Sequence, residues 1–194
     1  LNKRRVVVTG MGIVSPVGNE LEDAWTNVRD GNSGIRRIDL FDVSPFPTQI
    51  AGVVRDFDAA EFIPPKDVRK MDPFIHYGIA ASVKALKDSA LDIDESNAHR
   101  IGIAMGAGIG GLHTIEVNHN KFIEGGPRKI SPFYIPGSII NMISGNVSIM
   151  HGITGPNLSI VTACTTSTHC IGLAARTVVY GDADVMLAGG AEFA

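Results

Sequence analysis

The sequence predicts an α/β domain in which a parallel sheet is layered with helices, and two features carry that prediction. Short apolar or β-branched runs near residues 5, 101, 158 and 184 are separated by segments with helical spacing. The best-defined unit, residues 158–188, reads as strand, tight turn, helix and strand, the order of a right-handed parallel crossover.

In chain order, Arg5 to Thr9 is a continuous β-branched run, expected to be a central strand buried on both faces. Ser15-Pro16-Val17-Gly18 reads as a turn, and Asn19 is expected to cap a helix to about Arg29, with Leu21, Ala24, Trp25 and Val28 on one face. Residues 35–65 have no sustained period and carry four prolines, so they read as a surface excursion with one short strand near Ile50 to Val54. Lys66 to Asp72 is a basic turn of helix. Ile75, Ile79, Val83 and Leu86 trace one face of a longer helix from Pro73 to Leu91. Ile101 to Met105 is a strand that runs into Gly106-Ala107-Gly108-Ile109-Gly110-Gly111. Ile135 to Met150 reads as one buried helix.

Cys164 falls at the turn between the run Leu158–Val161 and the helix from Ser167 to Tyr180, which Gly181 ends as a left-handed cap would. A thiol attacks only as thiolate, and the partial positive charge of a helix N-terminus favours the anion. Arg176 is the one charge between Cys164 and Gly181, so the helix is expected to be buried, with the thiol at the bottom of a recess. An inert core thiol is the alternative.

Gly106, Gly108 and Gly111 after a strand match the spacing of a dinucleotide-binding turn, which would make the chain a nicotinamide- or flavin-dependent oxidoreductase. Such a fold needs an acidic strand end about 20 residues on. That distance lands on the basic loop Gly126-Pro127-Arg128-Lys129. Alternatively, the glycines let backbone approach another segment or a ligand closely. His113 and His119 would lie about 240° apart on a helix, which argues against chelation from one face and against a metal site.

Of 194 residues, 44% are hydrophobic and 19% charged, the balance of a globular chain able to bury roughly 70% of its unfolded surface. A net charge of -3 gives no reason to expect nucleic acid. The basic opening is followed by an apolar run too short for a signal peptide, and no stretch is long enough to insert in a membrane. Two cysteines make a disulfide framework unlikely to be the organising device, and a reducing cytoplasmic setting is the expectation.

Taken together, Val8-Thr9-Gly10-Met11-Gly12 with Ser15-Pro16-Val17-Gly18, Arg69-Lys70-Met71-Asp72, Gly125-Gly126-Pro127-Arg128-Lys129-Ile130-Ser131-Pro132, Thr162-Ala163-Cys164, and Tyr180-Gly181-Asp182-Ala183-Asp184 with Ala188-Gly189-Gly190-Ala191-Glu192 resemble the β-ketoacyl-(acyl-carrier-protein) synthases of fatty-acid synthesis, nearest their synthase II branch. The resemblance implies a thiolase-like fold of two similar halves, each a mixed five-stranded sheet between helices, with residues 1–194 forming the N-terminal part and the last strand of that half missing. It implies a homodimer with no cofactor of its own, its substrates carried on the phosphopantetheine of an acyl-carrier protein. Cys164 would take the acyl group as a thioester. Malonyl-carrier would then lose carbon dioxide, and its carbanion would attack that thioester to give a 3-oxoacyl-carrier.

On the same resemblance, Ile109 lies beside the acyl chain. Tyr134, where relatives usually carry phenylalanine, reaches the far end of the pocket from the neighbouring subunit. Lys66, Arg69, Lys70, Arg128 and Lys129 meet the acidic carrier, and two local clusters of positive charge in a net-acidic chain suit such steering. The family's catalytic histidines lie in the second half, so none of His76, His99, His113, His119, His151 and His169 is assigned catalysis, and these residues alone are expected not to condense.

Overall fold

A computed structural model describes residues 4–194. The elements in chain order are α1 (Leu21–Arg29), β1 (Ile35–Arg37), β2 (Ile50–Gly52), α2 (Pro65–Val68), α3 (Pro73–Ser89), β3 (Ile101–Gly106), α4 (Leu112–Gly125), α5 (Tyr134–Ser138), α6 (Met142–His151), β4 (Asn157–Leu158), α7 (Thr166–Tyr180) and β5 (Val185–Gly190). Strands β4, β3 and β5 form a parallel sheet with β3 in the middle, and β1 and β2 form a separate antiparallel ribbon.

The period of two along β3 sorts the layers. Ile101, Ile103 and Met105 face one side, where they pack with Phe74, Ile75 and Ile79 of α3, Ile143 and Val147 of α6, and Val185 and Leu187 of β5. Ala104 faces the other side with Met186 and Ala188, against Cys170 and Ala174 of α7. One face of the sheet thus holds large aliphatic side chains and the other, Met186 apart, holds small ones. All six residues of β3 are buried. Arg100 closes the α7 end of this arrangement: its guanidinium donates to the carbonyls of Gly181 and Asp182 and pairs with Asp184. Arg100 and then Arg4 hold the Asp184 carboxyl well below the usual carboxylate range.

Four expectations are corrected. Residues 5–9 form no strand, and Val6, Val7 and Val8 are exposed. A β-branched run becomes a buried strand only with neighbours on both edges and both faces, and no described strand pairs with this one. The main sheet consequently has three strands among the described residues rather than the larger mixed set. Asn19 does not cap α1, whose N-cap is Glu20; its amide group instead donates to the carbonyls of Arg55 and Asp56. Of the apolar face predicted for α1, Ala24 is buried while Trp25 and Val28 are exposed.

The fourth correction concerns the helix expected over 135–150, which is two helices, α5 and α6, broken at Ile139. The carbonyls of Gly137 and Ser138 leave the helical pattern to accept the N–H groups of Asp72 and Gly111. Those tertiary bonds replace the intrahelical ones and satisfy the same backbone groups. The ribbon strand β1 was not expected; its three residues are all exposed and carry no burial pattern.

Candidate functional site

Three threonines shape the turn that carries Cys164. After β4, the Ser159 hydroxyl donates to the Met105 carbonyl and holds the chain beside β3. Thr162 N–H then donates to Thr166 Oγ1 at 2.9 Å, while Thr165 N–H and Thr165 Oγ1 both donate to the Thr162 carbonyl at 3.2 and 2.7 Å. Ala163–Thr165 is a single 3-10 turn that leads directly into α7. Ala163 takes the left-handed conformation, φ +52°, at a cost of roughly 1–2 kcal/mol for a residue with a Cβ. That reversal sets Cys164 just ahead of the α7 N-cap, Thr165.

The thiol is exposed rather than at the bottom of a recess. Only the stripe Thr166, Cys170, Ala174 and Thr177 of α7 is buried, while Ile171 and Tyr180 stand exposed, because a single side of the helix meets the sheet. Cys170, on that stripe, is the inert thiol: it has no exposed surface, and burial pushes it up from the ordinary cysteine range. His169, not singled out by the sequence, lies at 3.4 Å from the Thr162 hydroxyl through Nδ1.

The glycine turn after β3 packs against this same backbone. A Cβ on Gly106 would lie 2.1 Å from the Ile160 carbonyl oxygen, and one on Gly108 would lie 3.1 Å from Ala163 Cα. The alternative weighed for these glycines, close approach of another segment, is what they do. The dinucleotide reading fails on the same geometry. Ile109 N–H and Gly110 N–H, which would receive a pyrophosphate, donate to Glu192 Oε2 at 2.6 Å and Oε1 at 3.3 Å. After α4 the chain enters a 3-10 turn, Pro127–Lys129, in place of the strand that a dinucleotide fold requires. At its far end the turn is held by Asp72, a fully buried carboxylate that accepts Thr114 N–H at 2.8 Å and caps α3 through Phe74 N–H at 3.3 Å.

Glu192 was legible only once the strands were paired. Gly106 lies opposite Gly190 in the β3–β5 register, so a residue two beyond Gly190 comes level with Gly108.

Ile109 is 54% exposed on this turn, beside the backbone that precedes Cys164. Tyr134 is half-buried as the first residue of α5, which packs on α4 and α6. Lys66 sits exposed on α2 and Arg69 caps it; Arg128 and Lys129 are exposed on the 3-10 turn after α4. Lys70 pairs with Asp67 at 2.6 Å and lies 5.2 Å over the Phe133 ring. Arg69 and Lys70 line a shallow groove of about 190 Å³ with His113, Lys121, Ser131 and Phe133, which brings the first basic cluster against the segment that follows the second. Lys121 was missed, since a lone lysine on a helix carries no signal of its own. A larger cleft of about 530 Å³, between α1 and the β1–β2 ribbon, holds none of the candidate residues. Among the described residues no three His, Cys, Asp or Glu side chains cluster to hold a metal, and no helix is long and apolar enough to cross a membrane.

Residues 3–194 match the family described as Beta-ketoacyl synthase, N-terminal domain. The chain is 57% identical over 192 residues to 3-oxoacyl-[acyl-carrier-protein] synthase 2 of Vibrio harveyi, covering 99% of this chain and 46% of that protein. It is 54% identical to the synthase 2 of Coxiella burnetii over 194 residues, 47% of that protein. The chain therefore spans about half the length of the curated relatives it matches. Among solved structures, the ishigamide ketosynthase/chain length factor superposes with a TM-score of 0.89 at 26% identity, over 99% of this chain and 48% of that one. A type II PKS ketosynthase solved in complex with its acyl-carrier protein superposes at 0.84 with 30% identity, over 98% of this chain and 52% of that one. The layered sheet is the thiolase-like fold of these ketosynthases, and the chain belongs to the β-ketoacyl synthase family as its N-terminal domain.

Proposed function

We propose that the protein carrying this domain condenses an acyl thioester with malonyl-acyl-carrier protein, as a 3-oxoacyl-acyl-carrier-protein synthase of fatty-acid elongation. The observation that carries the reading is the exposed Cys164 on a left-handed turn immediately ahead of a 15-residue helix. The positive end of a helix dipole attracts an anionic sulfur. The thiolate attacks the carbonyl carbon of the acyl-phosphopantetheine thioester, and the tetrahedral oxyanion collapses with release of the carrier's thiol. The carbanion left by loss of carbon dioxide from malonyl-carrier then attacks the Cys164 thioester, and the cysteine sulfur departs as thiolate. Histidines that assist decarboxylation come, on this reading, from the second half of the fold.

Ile109 and Tyr134 are the proposed lining of the acyl pocket, and Lys66, Arg69, Lys70, Arg128 and Lys129 the proposed carrier contacts. The acyl-carrier protein as partner is supported by the basic groove and by the relative solved with its own carrier. A homodimer is supported by the exposed apolar residues Ile115, Phe122, Ile123, Phe133 and Ile135 along α4 and α5. A free, exposed thiol suits a reducing compartment such as the cytoplasm.

The test is mass spectrometry of the full-length protein after incubation with an acyl-carrier. An acyl mass gain on the peptide holding Cys164, absent in Cys164→Ala, is the expected result. Acylation that persists in Cys164→Ala, or none in the native protein, overturns the reading.

A further inference from the structure

We infer that Glu192 is a positioning residue that fixes the Ile109 turn against the nucleophile and thereby sets which acyl chains Cys164 accepts. This rests on the reading of Cys164 as the acyl acceptor and extends it to a residue outside the reacting atoms. Both carboxylate oxygens are spent on consecutive backbone N–H groups, Ile109 at 2.6 Å and Gly110 at 3.3 Å. A carboxylate bonded to backbone N–H groups makes charge-assisted bonds stronger than neutral ones, so Glu192 ties down the middle of the turn as Asp72 ties down its far end. The side chain also walls the place where the turn meets the nucleophile's backbone. A Cβ on Gly108 would stand 3.0 Å from Glu192 Oε2 and 3.1 Å from Ala163 Cα, so the three residues meet closely at the surface, where Glu192 is exposed.

Glu192 therefore stands on one side of a single glycine and Ala163, the residue before Cys164, on the other. Ile109, the next residue and the proposed lining of the acyl pocket, is exposed where it stands. Gly110, at φ +85°, gives the turn the freedom to swing once its N–H groups are released. Without the carboxylate, Ile109 no longer holds one position against the acyl group, and discrimination by chain length falls.

The experiment uses the full-length protein with Glu192→Ala and the near-isosteric Glu192→Gln, which retains one acceptor oxygen. Three rates are read for each: acyl transfer from a short and from a long acyl-carrier, with kcat and KM separated, and alkylation of Cys164 by iodoacetamide. The expected result is a change of about tenfold in the long-to-short ratio of kcat/KM for Glu192→Ala, the scale of one lost bond to a charged acceptor. Glu192→Gln restores part of that ratio, and alkylation of Cys164 stays near the native rate in both. An unchanged ratio, or a loss shared equally by both chain lengths and by alkylation, overturns the inference. If the native protein itself fails to acylate at Cys164, the proposed function fails instead, so the two failures are told apart.

Discussion

Cys164 and Cys170 stand six residues apart in one threonine-rich segment, and their surroundings have little in common. Cys170 lies inside α7 on the stripe facing the sheet, against Ala104 and Ala174, with no exposed surface. Cys164 lies ahead of the helix on a turn wrapped by threonine hydroxyls, and it is exposed. In the sequence His169 adjoins Cys170, the thiol that turns out to be buried, and no acid or base adjoins Cys164. What separates them is where the helix begins: Ala163 turns left-handed, and residues 161–165 are exposed.

The comparison breaks first at activity. Cys164→Ala is expected to lower condensation by the full-length protein by at least roughly 10⁴-fold, the scale of losing the nucleophile of a covalent acyl transfer. Cys170→Ala is expected to leave the rate within a small factor and to cost about 1 kcal/mol in denaturant unfolding, for one sulfur removed from a packed site. Equal losses in the two variants would mean that position on the helix does not decide the role.

Next in size is the close approach that supports the turn. Gly108→Ala puts a methyl about 3 Å from both Ala163 and Glu192, so the turn shifts by a few tenths of an ångström; where about 1 Å of misplacement costs about 100-fold, such a shift costs roughly a few-fold. Single-turnover acylation of Cys164 is expected to fall on that scale, while alkylation of Cys170 under denaturing conditions is unchanged.

A third measurement sharpens the contrast by pH. Desolvation disfavours the charged form, so Cys170 requires a higher pH than an ordinary thiol to become thiolate. Between neutrality and the ordinary thiol range, iodoacetamide is expected to label Cys164 in the native protein and to leave Cys170 unlabelled until the protein is unfolded. Native labelling of Cys170 at the same rate would sink the comparison. The smallest effect is on the turn itself. Ala163→Gly removes the left-handed penalty but frees the unfolded chain, for a net stabilisation of about 0.5 kcal/mol by chemical denaturation.

Much of this was legible before any coordinates. The apolar spacing of Ile75 and Ile79 gave α3, the apolar run Ile101–Met105 gave β3, and Gly181 stops α7 in the left-handed conformation the sequence demanded. What was not legible depends on partners far along the chain. Residues 5–9 have strand composition without a paired strand beside them. The break at Ile139 exists because Asp72 and Gly111 claim two carbonyls, and nothing within residues 135–150 announces that. In the site, Cys164 and the glycine turn were visible as local patterns. Glu192 was not, because its partners lie more than 80 residues away and only the parallel register brings them level.

On the face of the sheet toward α7, Met186 is the one large side chain of the two paired strands, while Ala104 and Gly106 on β3 and Ala188 and Gly190 on β5 carry nothing larger than a methyl. The seating of α7 is thus set by its own short side chains, Thr166, Ser167, Cys170 and Ala174, against Ala104 and the glycines at the strand ends. Aliphatic residues on the opposite face, among α3 and α6, can exchange shape for shape without moving it, whereas a single carbon added to the bare face lifts the whole helix and its reactive end together.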